Sequence, residues 1–589
     1  MYAMPIVHNV QIVRDQAREL ILKGGVMRKF GLGKLASIVF LFYAAAVSSH
    51  AQTFTTLLNF DSTDGGHPMG ARVQGTDGNF YGITDQGGPS ENCTDGCGTV
   101  FKITSGGTLT TLHSFDGTDG ADGLGLIQAT DGNFYGTTAQ GGTSESCTDG
   151  CGTVFKMTSG GTLTTLHSFG GTDGAGALGL IQATDGDFYG TTLYGGTGGN
   201  CPSSQTKGCG TVFKITTAGK LTPLYNFCSQ PNCTDGAGAW GLIQATNGNF
   251  YGTTGGGGSA NCTNGCGTIF EITPAGALTT LYSFCAQTGC ADGTNPGELV
   301  QGTDGNFYGA TAWGGTSDDG TVFKITAAGE LTTLDSFDGT DGLHAHGPVQ
   351  ATDGNFYGTT GGGGGDGDGT VFEITPEGTL TMLHSFDGTD GASPGGPVQA
   401  TNGNFYGTTS QGGNSGNCTD GCGTVWSLST GLGPFVQPRL TMGKVASKIT
   451  ILGNNLTGST KVSFDGVAAT TFKVVSATEM TATVPSGALT GTLSVTTPSG
   501  TLNSNGPFYV TPQLTKFTPT SGDVGASVTI TGVSLTQTSA VSFNGVAASF
   551  TVNSDAQVTA TVPTGATTGT ITITTAGGVV TSKSSFTVK

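Results

Sequence analysis

Four of the seven close cysteine pairs in this chain take the form seen in NCTDGCGTVF at residues 92–101. The pairs are Cys93 with Cys97, Cys147 with Cys151, Cys201 with Cys209, Cys228 with Cys233, Cys262 with Cys266, Cys285 with Cys290, and Cys418 with Cys422. Such spacing offers three chemistries: part of a metal site, a redox dithiol, or a structural disulfide. A zinc site takes about four ligands, and each loop brings two cysteines and no neighbouring histidine. Redox dithiols favour Cys-x-x-Cys at a helix start, which none of these is. Loop length separates the readings. From the glycine of FYG to the glycine of GTVF the five cysteine-bearing loops run 15 to 20 residues, against 11 where cysteine is missing, as from Gly309 to Gly320. Cysteines come and go as pairs, and only where a loop is enlarged, which is what disulfide staples predict. Closing a five-residue loop contributes about 2 kcal/mol.

Aspartates form the next constellation: Asp116, Asp119 and Asp122; Asp338 and Asp341; Asp387 and Asp390. Carboxylates gathered in a loop suit calcium, yet Asp-Gly is also ordinary turn composition, and no copy matches a twelve-residue EF-hand loop. No cofactor is required by the sequence, and calcium is the one candidate. A third set consists of positions that vary while their surroundings repeat: Gln86, Gln140, Tyr194, Trp313 and Gln411 after the FYG strand, and Trp240 and His346 in the other loop set. Aromatic and amide side chains at loop tips stack on or hydrogen-bond to ligands, so these are the candidate ligand-binding residues. Packing over neighbouring loops is the plain alternative for each.

The elements that must position these groups are repeats. FYG begins at Phe80, Phe134, Phe188, Phe250, Phe307, Phe356 and Phe405, and each copy holds four short strand patterns separated by Gly, Asp and Asn turns. In the second copy these are GLIQAT, NFYGTT, GTVFKM and TLTTLHSF, with TDGN as a two-residue hairpin turn between the first two. Phe134 and Tyr135 must point to opposite faces of their strand, so both faces of the sheet are covered. The array opens on a lone TFTTLLNF at residues 53–60 and stops at GTVWSL without a fourth strand. The N-terminal strand therefore completes the last blade of a seven-bladed, all-β propeller, hiding its open edges. TDGN and TSGGT turns fall on one end of such a blade. The stapled loops and the Asp-rich interblade loops share the other, the end where variable loops place binding.

These repeats, through LIQATDGNFYGTT, GGT and GTVFKIT, resemble the Gloeo/Verruco (GloVer) tandem repeat over residues 53–429, and the chain is similar to choice-of-anchor GloVer proteins. The resemblance implies export and varied C-terminal modules, and no established enzymatic activity. From Gln437 the pattern changes. VSFDGVAATTFKVV and VSFNGVAASFTVNS repeat with Phe464 and Phe543 79 residues apart, as expected of two small β-sandwiches. Through ITILGNNL, VTITGVSL and ATVP they resemble IPT/TIG domains, which implies immunoglobulin-like spacers or binding modules. The expected domains are an N-terminal extension and signal peptide at 1–51, the propeller at 52–432, and IPT/TIG domains at 433–510 and 511–589.

Residues 28–51 read as a secretory signal: Arg28, Lys29 and Lys34 precede an apolar run, and Ser49-His50-Ala51 resembles a cleavage site. Met27 is a second candidate start. The 13-residue run is too short to span a bilayer, so no transmembrane helix is expected after cleavage near Ala51. Residues 52–432 carry a net charge of −27, and residues 433–589 one of +4. So acidic a body repels phosphate backbones, which excludes nucleic acid as its partner. An enzyme needs an asymmetric pair of groups, and His113, His167 and His384 instead share one repeated position. No H-E-x-x-H is present. The favoured reading is a secreted or cell-surface, monomeric binding or adhesion scaffold for an extracellular glycan or protein. The alternative is a polysaccharide-active enzyme, a glycosidase or lyase, on the looped face.

Overall fold

A computed structural model describes residues 52–69, 73–198, 201, 208–259, 261, 262 and 265–589. The signal segment and the cleavage position near Ala51 lie outside the described residues. Seven antiparallel sheets follow one another around the propeller, as in the second blade: Ala121–Gln128, Phe134–Gln140, Thr153–Met157 and Leu163–Ser168. The seventh sheet takes its outer strand from the N-terminus. Thr53–Asn59 pairs antiparallel with Thr424–Ser429, Thr53 opposite Ser429 and Asn59 opposite Thr424. This leaves no blade short of a strand and confirms a seven-bladed ring closed by its first strand.

Three circular interactions hold the blades together, and each closes after seven steps. Tyr135 stacks on Phe188 of the next blade, its counterparts do the same, and Tyr406 returns to Phe80, with ring centroids 3.9 to 4.2 Å apart. The FYG doublet thus spends Phe on one neighbouring blade and Tyr on the other, at about 0.5–1.5 kcal/mol per aromatic pair beyond burial. A second circle joins the interblade phenylalanine to the GTVF ring, from Phe60 with Phe101 to Phe386 with Trp426. The third is polar. Each innermost-strand glutamine accepts from the threonine amide of the preceding blade, Gln128 from Thr76 at 2.9 Å, and Gln74 closes the circle by accepting from Thr401 at 2.9 Å.

Blades two to four have continuous first strands, whereas those of blades one, five, six and seven are interrupted where Pro68, Pro296, Pro348 and Pro394 remove donors. GTVF needs its glycine: Gly98 has φ +87°, and a Cβ there would lie 2.2 Å from Thr84 O.

After the propeller come two β-sandwiches, each of a four- and a five-stranded sheet. Alternating inward residues build their cores, Ile451, Val462, Phe464, Met480, Leu493 and Phe508 in the first, and Val528, Ile530, Val541, Phe543, Ile571 and Phe586 in the second. The first sandwich sits on the TDGN end of the propeller. Arg439 donates through Nη2 to Gln74 O at 2.7 Å and to Gln128 Oε1. Thr478 Oγ1 donates to Thr76 O at 2.7 Å, Asn505 Nδ2 to Gln350 O at 2.7 Å, and the Phe435 amide to Thr401 O at 3.0 Å. Burial pulls the Arg439 guanidinium down to about 10. Truncating Arg439 to alanine removes both of these bonds, though Gln128 Oε1 keeps the Thr76 amide, and costs about 2 kcal/mol. The expected signature is faster hydrogen exchange at the Phe435 and Thr76 amides with unchanged protection at Ile451 in the sandwich core.

Candidate functional site

With the TDGN end covered, the stapled-loop end is the open face. Its disulfides join Cys93–Cys97, Cys147–Cys151, Cys201–Cys209, Cys228–Cys233, Cys262–Cys266, Cys285–Cys290 and Cys418–Cys422, and no free cysteine remains. In NCTDGC the second cysteine is buried, as Cys97, Cys151, Cys266 and Cys422 are. The leading asparagine fastens the loop to the interblade loop beside it. Asn92 Nδ2 donates to Asp116 O at 2.8 Å, Asn261 to Cys285 O at 3.0 Å, and Asn417 to Asp61 O at 2.8 Å. In these three blades staple and asparagine tie the second-to-third loop to the interblade loop. Replacing Cys93 and Cys97 together by alanine is expected to cost about 2 kcal/mol. Faster hydrogen exchange confined to residues 88–98 and the neighbouring Asp116–Asp119 turn would show it.

The interblade aspartates are engaged within their own turns. Asp116 Oδ1 accepts from the Thr118 amide at 2.9 Å and the Thr118 hydroxyl at 2.7 Å, and Asp338 and Asp387 repeat the pattern. These bonds, the Thr hydroxyl first, hold the three carboxyls below the usual range. Asp119 and Asp390 bond instead to His113 Nε2 at 2.6 Å and His384 Nε2 at 2.8 Å, and Asp341 accepts from the Asp338 amide at 3.0 Å. Among the described residues no set of three aspartates converges to metal-ligand distance; the sets that do are cysteines already in disulfides. Asp116, Asp338 and Asp387 thus serve as Asx-turn acceptors within their own loops. Turn acids at the covered end are likewise structural: Asp131 accepts from Tyr135 and Lys156.

Asp122 stands apart from its turn, and comparison of copies points to its partner. Its backbone is left-handed at φ 54°. The residue after FYGTT or its equivalent is Asp85 in the first blade, and Ala139, Leu193, Gly255, Ala312, Gly361 and Ser410 in the others. Burial first, and then the charge of Asp122, push the Asp85 carboxyl up to about 7, and its Oδ1 is buried without a hydrogen-bond partner. Asp122 is raised too, by burial and by Asp149. The sequence reading missed Asp85 because it lies inside a strand motif; aligning the seven copies exposes it as the one acid at its position.

The variable positions separate into two rings. Gln86, Gln140, Tyr194, Trp313 and Gln411 each end a second strand, opposite the first residue of the innermost strand, and so form an outer rim. Tyr194 and Trp313 are 37 % and 46 % exposed. Trp313 meets His344 of the next blade edge-on, centroids 3.9 Å apart. Gln140 and Tyr194 line one groove of about 360 Å³ with Asp149 and the Cys147 staple. Trp240 and His346 belong to the inner ring. They lie beside Gly255 and Gly361, where a Cβ would come within 3.0 Å of Trp240 Nε1 and 3.6 Å of His346 Nε2.

Comparison with known proteins agrees with this architecture. A family model described as Gloeobacter/Verrucomicrobia repeat matches residues 43–230 and 199–426, and the IPT/TIG domain model matches 436–510 and 512–588. Among solved structures, the chain is similar to a virginiamycin B lyase from Staphylococcus aureus, with 14 % identity over 64 % of this chain and 99 % of that one, TM-score 0.43. It is also similar to a fungal alcohol oxidase of the AA5 family, with 11 % identity, 91 % and 98 % coverage and TM-score 0.40. A putative 6-phosphogluconolactonase from Bacteroides uniformis shares 15 % identity, with 56 % and 88 % coverage and TM-score 0.38. These likenesses are too loose to carry chemistry across. No curated protein matches the chain.

Proposed function

Starting from a chain that belongs to the Gloeobacter/Verrucomicrobia repeat family and ends in two IPT/TIG domains, we propose that it is a non-catalytic binding scaffold of the cell exterior. Its ligand is a glycan or an extracellular protein taken on the stapled rim. One observation carries this reading: the first sandwich occupies the short-turn end of the propeller, leaving the disulfide-stapled loops as the accessible face. Seven disulfides among the described residues fit an oxidising environment, and no described helix is long and apolar enough to cross a membrane. The groove between Gln140 and Tyr194 supplies an amide, a phenol and an aromatic face on a rigid frame, a combination suited to sugar hydroxyls and ring faces.

A second reading draws on the Asp85 and Asp122 pair. Two carboxyls with unequal surroundings, one protonated near neutrality, are what acid catalysis of glycoside cleavage uses. A glycan array run beside a reducing-sugar release assay decides between the readings. Retention without sugar release, weakened at least tenfold by Tyr194→Ala, supports the scaffold. Release that disappears in Asp85→Asn supports the enzyme and overturns the scaffold.

A further inference from the structure

One repeated position changes residue at the Tyr194 groove. The second residue of each innermost strand is left-handed, and its seven copies are His67, Asp122, Gly176, Gly238, Asn295, His344 and Ser393, with φ between 52° and 65°. A side chain in that conformation is strained, yet five blades carry a polar one. Glycine stands only at 176 and 238, and these two positions flank Tyr194. A Cβ at 176 would lie 3.3 Å from Tyr194 Cδ2, and one at 238 would lie 3.8 Å from Leu193 O. Trp313 is the contrast: it has Asn295 in its own blade and meets His344 of the next blade edge-on. The glycines therefore leave Tyr194 without the side chains that other copies set beside this strand end.

Asp149 and Gln140 line the same groove, whose volume of about 360 Å³ is that of a small-ligand site. The Asp149 backbone is fixed: its carbonyl accepts from the Gly141 amide at 2.8 Å, and the Cys147–Cys151 staple brackets it. Its carboxylate is exposed and meets no donor or cation among the described residues, and the Gln140 amide is exposed and uncommitted in the same way.

Charge is sorted between the two faces. Lys102, Lys156, Lys214 and Lys324 pair with Asp77, Asp131, Asp185 and Asp304 at the TDGN end, at 2.8 to 3.2 Å. Residues 52–432 hold only three further bases against 34 acids in all, so the stapled loops stay strongly acidic. Such a face attracts cations and repels anions. The Tyr194 ring suits the C–H face of a pyranose, and the Gln140 amide suits its hydroxyls. Asp149 adds an acceptor for an ammonium group, which a neutral sugar does not use.

We infer that the groove takes a hexosamine unit with a free amine, its ring on Tyr194, a hydroxyl on Gln140 and its ammonium group on Asp149. The inference rests on the reading of the stapled rim as a glycan-binding face, and adds the class of glycan.

Calorimetric titration of the full chain with β-1,4-linked tetramers of glucosamine, N-acetylglucosamine and glucose, and with tetralysine, tests it. At about pH 6 amine and carboxylate are both charged. The expected result is glucosamine tetramer bound at least tenfold tighter than its acetylated counterpart. Asp149→Asn should equalise the two while both still bind, which verifies a folded groove in the same experiment. Gly176→Asn copies Asn295 of the fifth blade, so it keeps the backbone and sets a side chain against Tyr194; it should weaken both sugars at least tenfold with little change in Tm. Tyr194→Leu, which leaves that backbone untouched, should do the same. An undiminished amine preference in Asp149→Asn, or full binding in Tyr194→Leu, overturns the proposal. Tetralysine bound tighter than the glucosamine tetramer also overturns it, since charge alone would then select a basic protein. Equal binding of all three saccharides removes the amine selectivity and leaves the glycan scaffold standing, whereas binding of no saccharide removes both.

Discussion

Replacing Phe60 by alanine is expected to remove about 4 kcal/mol of unfolding free energy, and to be felt at both ends of the array at once. Phe60 is fully buried and lies edge-on to Phe101 of the first blade, centroids 5.2 Å apart. Its amide donates to Gly423 O at 3.0 Å in the seventh blade. The strand just before it closes the ring through pairing with Thr424–Ser429, and Phe54 stacks on His384 at 3.6 Å. A cavity at Phe60 thus weakens the joint between the first and last blades, the one place where closure depends on residues more than 300 positions apart. Denaturant unfolding gives the free energy. Hydrogen exchange should show lost protection in Thr424–Ser429 and Thr99–Ile103 before the central blades. Loss spread evenly over all seven blades would contradict a closure joint.

Asp85→Asn is expected to stabilise the protein by about 2 kcal/mol at pH 8 and to change little at pH 4. The native Asp85 carboxyl titrates at about 7, raised by burial and by Asp122, against 3.8 for the ordinary side chain. A raised acid favours folding fully while both states are protonated, below about pH 4. That advantage is lost as pH rises toward 7, since the unfolded chain ionises first. The full linkage over this range corresponds to about 4 kcal/mol, and partial contact with solvent roughly halves it. Asparagine removes the ionisation and with it the penalty above pH 7. Urea midpoints for both proteins at pH 4 and pH 8 measure the difference. An equal effect at the two pH values would show that Asp85 is not protonated in the fold.

Repetition made the propeller legible. Adjacent Phe134 and Tyr135 require two covered faces, and the orphan strands at both ends of the array require closure. What repetition could not show is which partner each face meets, since Tyr135 stacks on Phe188 of the next blade rather than within its own. The glutamine circle was present in the sequence as a recurring VQ or IQ, but its bonds link residues about 50 positions apart. Arg439 carries no local signal at all. It is a single arginine after a domain boundary, and its partners Gln74 and Gln128 lie more than 300 residues away. Turn acids and metal acids look alike in sequence, and what the fold adds is the set of turn bonds that Asp116, Asp338 and Asp387 accept. Asp85 was hidden for the opposite reason, as an acid where no turn was expected. The rim residues were found as variable positions, but variability alone did not divide them into an outer rim and an inner ring.

The central claim is that one propeller face is covered by the first sandwich and the other receives the ligand. The most direct measurement is a glycan array probed in parallel with the wild-type chain, two rim variants and two short-turn variants. Tyr194→Ala and Gln140→Ala alter the stapled face, while Lys220→Ala and Glu330→Ala alter exposed turns at the covered end. The account predicts that glycans retained by the wild type are lost at least tenfold in the rim variants and retained undiminished by the short-turn variants. Loss in Lys220→Ala or Glu330→Ala with full retention in Tyr194→Ala and Gln140→Ala would contradict it.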